Sequence, residues 1–360
     1  MARSSFAGRA TLVVVVAAAV AAVAAIAALP AVAQGQASLP RPGHRAGGTD
    51  RQPFALSTGK PIHVGHNPCA IAITPNGRTA YVVNCDSYTV TPINLATGTP
   101  GSAIKISRSP GAIAITPNGR TAYLTNEGVS GNGRTVTPIT LATGKSRPAI
   151  NVGGWDPDAL AITPNGRTAY VGEFSSNKVT PIRLATGTTG PAIKAVREPS
   201  ALAITPNGRT AYVANYSSNT VTPINLATGK LGHPIKVGNT PAAIAITPNG
   251  RTAYVANYDW PGNGGTVTPI NLATGKSRPA IRVGKGPVAI AITPDGKTAY
   301  VTDKGNYNGD TVTPINLATG KPGHPIKVGR VPVAIAITPN GRTAYVVNSW
   351  DNTVTPIRIK

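Results

Sequence analysis

Few residues in this chain are equipped for acid–base chemistry: twelve acids stand against 34 lysines and arginines, and there are five histidines. General acid–base catalysis needs an imidazole or carboxyl group held beside a second titratable group. The one set that can be assembled is His66 with Asp158 and Glu173; His44, His63, His233 and His324 fall in linker, outer-strand or turn sequence. Asp156, Asp158 and Glu173 also offer the oxygen ligands that a hard cation such as Ca²⁺ takes, but no calcium-loop spacing surrounds them. Neither Gly-x-Ser-x-Gly nor His-Glu-x-x-His occurs. Catalysis therefore has a narrow basis, and no cofactor is called for.

Binding chemistry is better represented. A formal net charge of +22 favours anionic partners. Arg78, Arg120, Arg167, Arg209, Arg251, Lys297 and Arg342 each follow an Asn-Gly or Asp-Gly pair, which implies a regular array of cations. Such an array can hold an anionic polymer by many weak, salt-sensitive contacts, or it can be one harmless residue copied for solubility. Trp155, Phe174, Tyr216, Tyr258, Trp260, Tyr307 and Trp350 fall where the copies differ, as a carbohydrate or peptide site would. Cys69 and Cys85 flank Asn76-Gly77 almost symmetrically, so they can form a disulfide across a hairpin if their Cα atoms come within about 7 Å.

The elements that must position these residues are repeats. One phrase, clearest as Ala-Ile-Ala-Ile-Thr-Pro-Asn-Gly-Arg-Thr-Ala-Tyr-Val, recurs with its turn proline at 75, 117, 164, 206, 248, 294 and 339. The spacings of 42, 47, 42, 42, 46 and 45 residues suit one four-stranded propeller blade per copy. Prolines and glycines in every copy exclude helical repeats. In the first copy the strands are expected at Ala70 to Thr74, Thr79 to Val83, Thr89 to Leu95 and Ala103 to Ser107, with Pro75 and Gly77 making the first turn. A Tyr in every second strand reads as packing between blades. The seventh copy stops after its third strand, and the missing outer strand stands before the first copy, at about 61–65. The fold predicted is all-β: a seven-bladed β-propeller of four-stranded antiparallel blades, closed when that N-terminal strand completes the last blade.

Tyr-Val-Val-Asn at 81–84, Tyr-Val-Ala-Asn at 212–215 and 254–257, and Tyr-Val-Thr-Asp at 300–303 each follow Ile-Thr-Pro-(Asn/Asp)-Gly. Residues 55–360 thereby resemble the YVTN β-propeller repeat. The resemblance implies an exported or surface-associated protein with a binding role more than a reaction. Some propellers are lactonases or lyases that set His and carboxylates around the channel mouth, which makes an enzyme at His66, Asp158 and Glu173 the first alternative. A structural surface-layer element is the second.

Arg3 and Arg9 precede an apolar run from Ala10 to Leu29 and the triplet Ala31-Val32-Ala33. This reads as a secretory signal over 1–33, or an uncleaved anchor that would be the sole membrane attachment, followed by a Pro/Gly-rich linker over 34–54. Secreted or cell-surface placement argues against intracellular nucleic acid. The expected partner is a cell-envelope polymer or a surface protein.

Overall fold

Each copy folds as an antiparallel meander because β-branched runs alternate with turns whose chemistry is explicit. The computed structural model describes residues 57–106, 109–128, 133–194, 197–260 and 264–359; the expected leader (1–33) and linker (34–54) lie outside the described residues. Blade 1 contains Pro68–Ile73, Thr79–Asn84 and Thr89–Asn94. The pattern recurs to blade 7, with Pro332–Ile337, Thr343–Asn348 and Thr353–Arg358. In the first turn the Thr74 hydroxyl donates to Asn76 Oδ1 at 2.7 Å and accepts from the Thr79 N–H at 3.1 Å.

The outer strand differs from the expected single run at Ala103 to Ser107. It is two short pieces, Thr99–Pro100 and Ile104–Lys105, both paired with Thr89–Asn94. Pro92 is the cause. Its carbonyl accepts the Gly101 N–H at 2.7 Å on the outer side, and in an antiparallel strand the missing proline N–H would have pointed the same way. The third strand of every blade carries this proline, so the outer ladder breaks at the same place throughout.

Closure follows the sequence expectation and extends it. Ile62–His63 pairs with Val354 and Thr353, and Ser57–Thr58 pairs with Arg358 and Ile357. Each inner strand packs against both neighbours, the last against the first. On the variable face the Asn67 N–H also donates to Asn352 Oδ1 at 2.8 Å.

The Ala-Ile-Ala-Ile inner strand is explained by period-two alternation. Ala70, Ala72 and Tyr81 of blade 1 face Ile113, Ile115, Leu124 and Ile139 of blade 2 in one buried cluster. Ile71, Ile73 and Ile93 of blade 1 face Ala334 and Tyr345 of blade 7 in another. Small residues on one side of a blade thus meet large ones on the next. The interface is head-to-tail, and seven of them close the ring.

Candidate functional site

A backbone framework with sevenfold repetition surrounds the axial opening on the variable face. Asn67, Ser109, Asp156, Glu198, Thr240, Gly286 and Val331 precede the inner-strand prolines with φ between 45° and 60°. Their carbonyls accept, at 2.9–3.1 Å, the N–H groups of the residues that leave the second strands: Cys85, Glu127, Phe174, Tyr216, Tyr258, Lys304 and Ser349. The backbone repeats; the side chains it presents do not. A second varying column lies beside it at the start of the inner strands, namely Cys69, Gly111, Asp158, Ser200, Ala242, Val288 and Val333.

Blades 2 and 3 supply an acidic sector. Glu127 and Asp158 are 8% and 7% exposed. Burial, then the charge of Asp156, pushes Glu127 up to about 8. Burial, then Glu127 and Asp156, holds Asp158 well above the usual carboxylate range. Asp156 is raised by burial against the opposing effect of a hydrogen bond from the Ser175 hydroxyl. Among the described residues Glu127 Oε1 has no hydrogen-bond partner, and Gly111 makes its room, since a Cβ there would collide with that oxygen. Two buried carboxyls this close retain a proton at neutral pH.

Blades 3 to 6 supply an aromatic and cationic sector. Phe174 meets Tyr216 edge-on with centroids 5.8 Å apart, and Tyr258 meets the exposed Trp260 at 5.9 Å. Tyr258 is fully buried, and among the described residues its hydroxyl has no partner. Lys304, 4% exposed, places its ammonium 4.2 Å from the Tyr307 ring centroid and 5.9 Å from that of Tyr258. Desolvation lowers its pKa to about 8. Burial of Tyr258, together with Tyr307 and Tyr216, pushes its phenol up to about 12.

The opposite, turn face keeps its symmetry. A Cβ on any of the seven turn glycines would lie 3.2–3.4 Å from the Cδ of the previous copy's turn proline, Pro339 meeting Gly77 across the seam. The turns therefore touch in a closed circle. Arg78, Arg120, Arg167, Arg209, Arg251, Lys297 and Arg342 all stand exposed on it. Among the described residues their one carboxylate partner is Asp295, 3.9 Å from Lys297.

The structure does not bring His66 to Asp158 and Glu173. His66 is exposed, its N–H on Ser87 Oγ at 2.6 Å. Glu173 sits inside blade 3 where five other blades carry Asn and blade 6 carries Asp303: Asn84 Nδ2 donates to Thr89 and Thr91 at 3.0 and 2.9 Å, whereas Glu173 accepts from Thr180 and pairs with Lys178 at 3.3 Å. Burial raises its pKa, while Thr180 and Lys178 act in the opposite direction. Of the metal candidates, Asp156 and Asp158 adjoin and Glu173 serves the blade interior; among the described residues no group of three or more His, Cys, Asp or Glu is arranged to hold an ion. Of the aromatic candidates, Trp155, Trp260 and Trp350 are exposed, while Phe174, Tyr216 and Tyr307 are half-buried. The Arg134 guanidinium lies 3.2 Å above the Trp155 ring. Cys69 and Cys85 are joined as a disulfide with Cα atoms 5.9 Å apart. Reading by residue type missed Lys304 and the pairing of Glu127 with Asp158. Their signal was available as the column following each second strand, where a near-constant Asn gives way to six different residue types.

A family model described as a lactonase with a seven-bladed β-propeller matches residues 185–360. That span includes Lys304 and leaves Glu127 and Asp158 outside it. Comparison with curated proteins finds no match. Among solved structures, hydrazine synthase of Kuenenia stuttgartiensis is similar over 82% of this chain and 97% of that one, with a TM-score of 0.73 and 22% identity, which is a likeness of fold.

Proposed function

We propose that this propeller is an exported binding module that holds an anionic polymer of the cell envelope on its turn face. The observation that carries the reading is the closed circle of touching turns with a cation on each and a single acid among them. Rigid turns spare the ligand the entropy of ordering its receptor, so weak contacts act together. If the polymer is as densely charged as nucleic acid and engages all seven, affinity falls about 10³-fold or more between about 50 and 200 mM salt. The test is retention of the protein on isolated envelopes across a salt series, beside a variant with the seven turn cations changed to Gln. Loss of salt-sensitive retention in the variant supports the module; equal wash-through of both proteins abandons it.

A second reading has its own observation. The buried carboxyl pair Glu127 and Asp158 keeps a proton at neutral pH beside the variable-face mouth, as a general acid must, and the lactonase family model covers the second half of the chain. In this reading water adds across the ester bond of a lactone while the pair protonates the leaving alkoxide. Hydrolysis of simple lactones that survives both Glu127→Gln and Asp158→Asn would remove the pair from that role.

A further inference from the structure

Lys304 is a cation enclosed without a counter-ion. Its side chain is 4% exposed, and among the described residues it enters no ion pair. The neighbouring carboxylates form no pair with it: Asp303, adjacent in the chain, turns into the blade, where its Oδ2 accepts from Thr311 and Thr313 at 3.2 and 2.6 Å and its Oδ1 is left without a partner among the described residues, and Asp310 pairs with Lys327 at 3.1 Å. What faces the ammonium is aromatic: Tyr307 at 4.2 Å and Tyr258 at 5.9 Å. A ring face offsets only part of the cost of removing an ammonium from water.

The same corner contains a second unmet demand, the fully buried hydroxyl of Tyr258. The phenols of Tyr216 and Tyr307 lie near enough to that of Tyr258 to disfavour its ionisation. At the equivalent place blades 7 and 1 settle their polar groups internally: Ser349 donates to Asn67 Oδ1, and Cys85 is bonded to Cys69. An unpaired ammonium and an unpaired hydroxyl beside edge-on and tilted rings form a receptor for one negative head with an apolar body.

We infer that the corner of Lys304, Tyr258 and Tyr307 at the variable-face mouth binds a small organic carboxylate, its head on the Lys304 ammonium and the Tyr258 hydroxyl and its body against Tyr216 and Phe174. This site is separate from the turn face and does not depend on a polymer being held there.

The experiment is calorimetric titration of the full chain with sodium benzoate, acetate or phosphate at constant ionic strength, using wild type, Lys304→Met, Tyr258→Phe and the turn-face variant with seven Gln. Benzoate is expected to bind more tightly than acetate or phosphate. Its affinity falls roughly tenfold or more in Lys304→Met and a few-fold in Tyr258→Phe. The turn-face variant retains it. Both point substitutions keep the side-chain volume close to the original, and Tyr258→Phe deletes only the hydroxyl, so the second variant decides the matter if the first misfolds. Absence of benzoate binding at about 10 mM, binding retained by Lys304→Met, or binding lost in the turn-face variant would each overturn the inference, and phosphate binding as tightly as benzoate would too.

Discussion

Replacing Lys304 by Met should stabilise the protein near neutral pH and cease to do so in alkali. Desolvation lowers the amine from 10.5 to about 8, and at about 1.4 kcal/mol per pH unit the charged form costs the folded state about 3 kcal/mol. Below pH 8 both folded and unfolded chains carry the proton, and the folded one bears the penalty. Between about 8 and 10.5 the folded chain releases its proton first, the unfolded chain binds more protons, and wild-type stability rises with pH. Lys304→Met has no such rise. Its advantage at pH 7 is about 3 kcal/mol and is mostly gone by pH 10. Burial keeps Tyr258 protonated to about 12, and Asp303, raised by burial to about 7, titrates below this window; Tyr307, 4.2 Å from the amine, is common to both proteins and drops out of their difference to first order. Urea unfolding of both proteins at pH 7, 8, 9 and 10, in buffer free of carboxylates, gives the difference directly. A difference that stays constant with pH would refute the reasoning, because the penalty would then not be electrostatic.

Three further outcomes are expected. Glu173→Asn with Lys178→Thr restores the Asn–Thr–Thr ladder of blades 1, 2, 4, 5 and 7, and urea midpoints should show the double variant more stable than either single one by about 1 kcal/mol. Replacing Cys69 and Cys85 by Ser opens a loop with 16-residue sequence separation and should cost about 2–3 kcal/mol, seen as a lower thermal midpoint that reductant no longer changes. Gly208 has φ +69° and stands against Pro164, so Gly208→Ala should cost about 1–2 kcal/mol in urea unfolding while Arg209→Gln on the same turn costs almost nothing.

The fold was legible because each of its devices is local and repeated. Thr74, Pro75 and Gly77 announce a turn by chemistry that needs no tertiary knowledge, and the displaced outer strand at 61–65 announces closure by simple subtraction. The divided outer strand was not legible in the same way. It depends on which side of Thr89–Asn94 the missing N–H of Pro92 points, and that is decided only when the inner partner, Tyr81, is in register. Glu173 was misleading for a related reason. A carboxylate in place of Asn resembles a site, yet its column points into the blade, where it accepts from Thr180 and pairs with Lys178.

The two faces have to be interpreted by opposite logic. On the turn face the cations repeat because the turn repeats, so their identity alone separates duplication from use poorly, and the physical weight rests on the closed circle that the Pro–Gly contacts create. At the variable mouth the backbone repeats and the side chains do not. Seven equivalent backbone hydrogen bonds hold Cys85, Glu127, Phe174, Tyr216, Tyr258, Lys304 and Ser349 alike, so the framework tolerates a disulfide, a carboxylate, a ring, an amine or a hydroxyl with equal ease. The fold therefore does not demand the burial of Glu127 with an unpartnered oxygen, or of Lys304 without a counter-ion. A cost that the scaffold does not require, incurred at two places on one rim, is best accounted for by what enters the opening.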